Sequence, residues 1–175
     1  ELPQHELRLD EYWIGMTPVT VAQYAVFARA VKLKTKSARD LDTLTDHPVV
    51  NVSFDDCSAF CSWMSATTRL LIELPDEIEW EKAARGPDGR VFPWGNEAPD
   101  ATRLNYAMNV GVTTAVDRYA ENGSSPCGCF DMAGNVWEWT GSILSPYPLI
   151  TSGSTQLATA SQARVLRGGS LYNGV

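Results

Sequence analysis

The sequence predicts an α+β domain, with about three helices in its first half and a small irregular antiparallel sheet with long loops in its second half. Helical spacing of apolar residues, introduced by capping signals, continues as far as Gly86. Beyond Gly86 this periodicity disappears, and glycine, proline, asparagine and aromatic residues dominate. Short strands joined by long ordered loops are therefore expected in the second half.

The first helix is preceded by a predicted strand over residues 7–15. Thr20 and Gln23 have the spacing of a capping box, in which each side chain satisfies a free backbone donor at a helix start. The apolar residues that follow at helical spacing are Tyr24, Phe27, Ala28 and Val31. These signals predict a helix ending near residue 31, followed by a polar surface loop over residues 32–46.

The second helix is predicted to open at Ser53, with Asp56 at its third position. The apolar face expected to be buried consists of Cys57, Phe60, Cys61 and Met64. A third helix is predicted after Leu74, with Pro75 in its first turn and Gly86 as its C-terminal cap.

Two strands are predicted in the second half. Residues 134–140 alternate in the manner of a strand, and residues 164–167 begin another. The Ser-, Thr- and Ala-rich residues 141–163 between them are expected to form a loop.

Length and charge restrict the class of protein. The chain has 175 residues and a net charge of −7, which suits one domain over residues 1–175 and disfavours nucleic acid as a partner. No apolar run reaches the length needed for membrane insertion, and no basic-then-apolar leader is visible at the N-terminus.

The chain contains four cysteines, Cys57, Cys61, Cys127 and Cys129. Zinc binding by these thiols stays an alternative, although the C-x-x-C pairing typical of zinc sites is missing. Free cysteines acting as small apolar side chains are favoured.

Five segments together resemble the formylglycine-generating enzyme (sulfatase-modifying factor) family. They appear in the family order, at residues 47–56, 74–86, 92–96, 131–140 and 164–170. The resemblance implies a C-type-lectin-like fold. Family domains usually carry a further N-terminal strand and continue beyond the Gly-Gly-Ser at residues 168–170, so the domain is expected to be incomplete at one or both ends.

The resemblance also implies a structural calcium ion. The matching positions are Asp131, Gly134, Val136 and Glu138. Carboxylate oxygens and backbone carbonyls are ligands that calcium prefers. A second family site matches only at Asn105 and Tyr106, since the acidic ligand expected downstream has no match.

The family enzyme oxidises a substrate cysteine to formylglycine with oxygen and copper. Its first active cysteine would stand three residues after Ser170, where this chain has Asn173, which supplies no thiolate. The sequence therefore predicts a non-catalytic module that binds a protein or cell-surface ligand. The alternative is a copper-dependent oxidase that generates formylglycine, using Cys127 and Cys129.

Some relatives are variable proteins of diversity-generating retroelements, which display varied side chains from near the Gly-Gly-Ser onward. The matching residues here are Leu171, Tyr172 and Asn173. Tyrosine and asparagine are favoured at binding surfaces, so these three are the candidate ligand-binding residues.

Overall fold

A computed structural model describes residues 6–33, 43–146 and 163–174. The described helices are α1 Val21–Ala30, α2 Phe54–Thr68 and α3 Glu77–Arg85, and the strands are β1 Glu138–Ile143 and β2 Arg164–Arg167. The α+β class, with helices first and a small sheet second, is confirmed. Most of each predicted loop, over residues 32–46 and 141–163, lies outside the described residues. The second loop was predicted to start too early, because residues 141–143 pair with β2 as the end of β1.

Each of the three helices begins with a reciprocal capping box. The pairs are Thr20 with Gln23, Ser53 with Asp56, and Asp76 with Glu79. The placement of Pro75 in the first turn of α3 is wrong, because the Asp76 side chain accepts from the Glu79 backbone N–H and caps a helix that begins at Glu77, two residues after Pro75. Gly86 ends α3 with φ 64°, as predicted.

The N-terminal core consists of α1 packed on α2. Tyr24 and Phe27 of α1 are buried, and the Phe27 ring centre lies 5.6 Å from that of Phe60. Of the predicted face of α2, Phe60 packs on α1, but no α2 residue is fully buried. The face is half-buried because α2 lies at the edge of this cluster, with Phe60 and Trp63 against it.

The predicted strand over residues 7–15 is wrong, since the structure assigns no strand there. Side-chain contacts, rather than backbone hydrogen bonds to a neighbouring strand, hold this extended segment against the domain. The Tyr12 hydroxyl donates to the Glu79 carbonyl at 2.8 Å, and Ile14 packs against the buried cluster that contains Trp80.

The strand predicted over residues 134–140 begins only at Glu138. Residues 134–136 form a turn in which the Val136 N–H donates to the Gly134 carbonyl at 2.8 Å. β1 then pairs antiparallel with β2, with Glu138 opposite Arg167 and an irregularity between Trp139 and Ile143. Within the described part of the chain, no helix combines the length and apolar character needed to cross a bilayer.

Candidate functional site

The turn before β1 brings two carboxylates into the protein interior. Asp131 is 8% exposed, and Glu138, at the first position of β1, is half-buried as a residue, although its carboxylate is enclosed. Asp131 has φ 58°, a left-handed conformation that a short polar residue tolerates better than most. Desolvation raises the pKa of both side chains to about 7, and the charge of Asp131 adds to the effect on Glu138.

Glu138 has one satisfied and one unsatisfied carboxylate oxygen. Its Oε2 accepts a hydrogen bond from the Trp80 indole at 3.1 Å. Its Oε1 is buried and has no hydrogen-bond partner among the described residues. A buried charged oxygen without a donor is costly, so this atom is suited to carry a proton or to contact a cation.

Asn135 connects the turn that carries Asp131 and Glu138, named here the acidic turn (residues 131–138), to the residues around it. Its amide nitrogen donates to Asp131 at 2.8 Å and to the Thr114 carbonyl at 3.1 Å. Its amide oxygen accepts from the Thr114 N–H at 2.9 Å and from the Asn105 amide at 3.3 Å. Asn135 is 0% exposed, so these bonds are shielded from water.

The other two predicted calcium ligands lie between the acids. Gly134 packs so closely that an added Cβ would stand 2.6 Å from the Asn105 carbonyl oxygen. A side chain is therefore excluded there. The Val136 carbonyl lies near Gly168, the first residue of the Gly-Gly-Ser.

Asn105 and Tyr106, the partial second site, lie beside this turn. Asn105 is 0% exposed, and its Oδ1 has no partner among the described residues. Tyr106 is half-buried, and its backbone N–H donates to Asn109 at 3.1 Å.

Sequence reasoning missed Asp117, whose negative charge further raises the pKa of Asp131. Asp117 lies twelve residues after Asn105 in the sequence. This position made it a candidate for the downstream acidic ligand of the second calcium site. Over the described ranges, no three His, Cys, Asp or Glu side chains meet as a metal-binding group. Any cation site here therefore depends on amide and backbone oxygens in addition to carboxylates.

The segment after the Gly-Gly-Ser docks on the same turn. Leu171 is buried, its N–H donates to the Asn135 carbonyl at 3.1 Å, and its carbonyl accepts from Met108 at 2.7 Å. Tyr172 is 74% exposed. Asn173 is exposed, and its Oδ1 accepts from the Ser170 hydroxyl at 2.7 Å. Of the three candidate ligand-binding residues, two reach the surface and Leu171 does not.

The family model for the sulfatase-modifying factor enzyme 1-like domain matches residues 1–175. The chain belongs to the formylglycine-generating-enzyme (FGE) sulfatase family. The structure of PvdO from Pseudomonas aeruginosa matches with a TM-score of 0.72 at 21% identity, covering 91% of this chain and 68% of that one. At that identity the likeness shows the shared FGE-type fold.

Relatives within the family have different names. The hercynine oxygenase of Mycolicibacterium thermoresistibile is 36% identical over 97% of this chain and 46% of its own. The formylglycine-generating enzyme of Streptomyces coelicolor is 30% identical over 97% of this chain and 70% of its own. The inactive Cα-formylglycine-generating enzyme 2 of Mus musculus is 37% identical over 70% of this chain and 37% of its own. This FGE-family chain thus spans less than half the length of two of these relatives.

The four thiols of this FGE-family chain differ in their exposure. All four cysteines are free. Burial raises the pKa of the Cys57 thiol to about 12 and also raises the pKa of Cys61 and Cys129. Cys127 is exposed. A cuprous ion binds thiolates, so a copper site that used these buried thiols would have to displace their protons.

A cleft of about 450 Å³ opens beside the acidic turn. Its lining includes Trp80, Arg85, Phe92, Trp137, Leu166, Arg167 and Gly168. The Arg167 guanidinium lies 5.4 Å from the Trp80 ring centre and pairs with Glu77 and Glu81 of α3. Sequence reasoning treated these positions only as family motifs. Arg167 directly before the Gly-Gly-Ser was the available signal.

Proposed function

We propose that this chain is the FGE-type domain of an oxygen-using enzyme, and that it supplies a substrate-binding scaffold. Relatives named as formylglycine-generating enzyme and hercynine oxygenase support a catalytic assignment over a retroelement-diversified display module. Because the chain spans only part of those relatives, the activity is proposed for the complete protein.

The observation that carries this proposal is the position of Trp80. Its indole donates to Glu138, its ring lies under Arg167, and it forms part of the cleft wall. A Cβ on Gly168 would stand 3.4 Å from the same ring. One side chain therefore links the acidic turn, the Gly-Gly-Ser and the cleft, an arrangement suited to holding a ligand in a fixed orientation.

The chemistry of a copper-bound thiolate pair does not fit the residues after the Gly-Gly-Ser. Asn173 occupies the position of the first family cysteine, and its amide is hydrogen-bonded to Ser170. We therefore assign no redox step to this segment. The contribution proposed for this chain is binding and orientation of the substrate by the cleft.

A calcium ion at the acidic turn is part of the proposal. Asp131 and Glu138 would bind it through carboxylate oxygens, and Gly134 and Val136 would do so through backbone carbonyls. The unpaired Glu138 Oε1 and the two raised pKa values fit such a cation, which would replace the missing proton. Asn105 Oδ1 and Tyr106 would serve a second cation, for which the unpaired amide oxygen is the support. When bound, calcium would stabilise the turn without taking part in redox chemistry.

The catalytic proposal is tested by oxygen uptake of the complete natural protein with free thiols, thiol peptides and hercynine. Trp80→Phe keeps an aromatic ring but removes the indole donor, and we expect a raised KM for whichever substrate is turned over. Trp94→Phe is the matched control, because Trp94 lies outside this cleft and donates only to Glu97. Equal KM values for the two variants would contradict the role of Trp80.

A second candidate is the binding module that displays residues from about Leu171 onward. The 74% exposure of Tyr172 and the mouse relative named as inactive favour it. Sequencing the gene beyond codon 175 in many cells of the source population tests this alternative. Clustered substitutions over a constant scaffold would support it, and an invariant continuation would exclude it.

A further inference from the structure

The cleft beside the acidic turn carries charge of one sign on its wall. Among the described residues, its lining includes two arginines, Arg85 and Arg167, and no aspartate or glutamate. A second cleft, of about 350 Å³, is lined by two other arginines and by two glutamates, Glu97 and Glu121. Of these two clefts, the one beside the acidic turn therefore has no carboxylate in its lining that would repel an anion.

Arg167 is held to the wall of this cleft by its own contacts. Its terminal nitrogens pair with Glu77 and Glu81 of α3, and its guanidinium lies over the Trp80 ring. The side chain is 18% exposed. Because charge-assisted pairs and the ring contact fix this guanidinium, Arg167 contributes mainly to the shape of the cleft.

Arg85 is placed differently. Its Nη1 donates to Glu81 and its Nε donates to the Arg90 carbonyl, so the plane of the guanidinium is fixed. No described residue accepts a hydrogen bond from its Nη2, and the side chain is 33% exposed. Glu81 shares its two oxygens between Arg85 and Arg167, so both of its oxygens are engaged. Arg85 thus lines the cleft with a donor that the fold leaves unused, and a carboxylate is the acceptor that best matches a guanidinium.

The rest of the lining is apolar and partly open to water. Trp137 is 48% exposed, and Val91 and Leu166 are exposed as well. Phe92 adds a second ring, which stacks on Trp94 with 5.1 Å between the ring centres. Covering such side chains with the apolar part of a ligand is favourable, because it removes their surface from water.

We infer that this cleft takes an organic anion, with its carboxylate against Arg85 and its apolar body against Trp137 and Phe92. The inference rests on the proposed function, in which the same cleft holds the substrate, and it specifies the chemical class of that substrate. An ammonium group finds no carboxylate in the lining. A small inorganic anion leaves the apolar wall uncovered.

Binding of four small probes to the complete natural protein tests this inference. Phenylacetate carries both features, phenylacetamide lacks the charge, phenethylammonium reverses the charge, and acetate lacks the ring. We expect ligand-observed NMR titrations to give phenylacetate a Kd at least about tenfold lower than that of each other probe, because hydrogen bonds between charged groups are about twice as strong as neutral ones. Equal Kd values for phenylacetate and phenylacetamide, tighter binding of phenethylammonium, or no binding of phenylacetate at millimolar concentration would overturn the proposal.

A pair of variants tests the role of Arg85. Arg85→Gln is expected to remove the preference for phenylacetate over phenylacetamide, while both probes still bind. Arg69→Gln removes the same charge at the exposed end of α2, outside the lining of the cleft, and should keep the preference. Retention of the preference in Arg85→Gln, or its loss in both variants, would contradict the role of Arg85. Circular dichroism checks that each variant is folded, and the ranking of the probes on the unmodified protein depends on neither variant.

Probe binding needs no turnover, so this inference and the proposed function fail separately. A protein that ranks the probes as expected but takes up no oxygen would keep the anion site and contradict the enzymatic function. Oxygen uptake without a preference for phenylacetate would contradict the anion site alone.

Discussion

The amide nitrogen of Asn135 donates a 2.8 Å hydrogen bond to the Asp131 carboxylate inside the protein. Through the same side chain, the acidic turn is joined to Thr114 and Asn105. Through its backbone carbonyl, Asn135 also accepts from Leu171 after the Gly-Gly-Ser. One residue thus links the proposed cation site to the segment where the family enzyme has its cysteine.

Asn135→Ala is expected to lower the free energy of unfolding by about 3 kcal/mol or more, because it leaves several buried polar groups without partners. The left-handed φ of 65° adds to the loss, since alanine tolerates it less well than asparagine. Denaturant unfolding measures the change. The exposed Asn122→Ala is the control, and a similar loss in both variants would contradict this role of Asn135.

Gly134→Ala is expected to destabilise the protein by about 2 kcal/mol or more, because the new Cβ meets the Asn105 carbonyl. Gly174→Ala adds the same methyl group where nothing lies within 4 Å. Thermal unfolding of the pair measures the difference. A Gly134→Ala protein as stable as Gly174→Ala would show that the turn is looser than described.

Calcium is expected to raise the Tm of the metal-free protein, because a ligand that binds only the folded state stabilises it. In Asp131→Asn this response should be lost. Asp55→Asn, which removes the same charge from the exposed first turn of α2, should keep it. If calcium does not raise the Tm of the unmodified protein, the proposed calcium site is contradicted.

In the presence of a chelator, stability is expected to fall as pH rises from about 4 to about 7. The folded pKa values of Asp131 and Glu138, about 7, lie above the unfolded values near 4, so the folded state binds protons more tightly. Their contribution is full below about pH 4 and is lost through pH 7. Measuring Tm against pH tests this expectation, and Asp131→Asn should show a shallower decline. A rise in Tm between about pH 4 and about pH 7 would contradict it.

Alkylation at mildly alkaline pH is expected to modify Cys127 first. Its thiol is exposed, whereas burial raises the pKa of Cys57 to about 12 and raises that of Cys129. Peptide mapping identifies the modified residue, and Cys127→Ser should lose the fast phase. Fast modification of Cys57 would mean that α2 opens more readily than its packing indicates.

The helices were predictable because their signals are local. The capping residues Thr20 and Ser53 and the terminal Gly86 act within one turn of the chain. The prediction of a strand over residues 7–15 was wrong because the alternation of apolar and polar residues does not reveal whether a neighbouring strand is available. The start of β1 was misplaced because Asn135 serves the interior turn, a long-range requirement that residue alternation does not encode.

The acids Asp131 and Glu138 were identified by resemblance. Their burial and the unpaired Glu138 Oε1 could not be predicted from sequence, because both depend on how distant segments pack. The same is true of the contact between Trp80 and Glu138 across 58 positions of sequence. Leu171 illustrates the converse limit. Its place in a family segment indicated display, whereas its side chain is buried beside Asn135.

Oxygen uptake by the complete natural protein tests the central claim most directly. We measure it with free thiols, thiol peptides and hercynine, with and without a chelator specific for cuprous ion. The account predicts substrate-dependent uptake that survives Cys127→Ser. Uptake abolished by the chelator and by Cys127→Ser would instead establish a copper site in the thiols of this chain. No uptake with any substrate would contradict the proposed enzymatic function and favour the binding module.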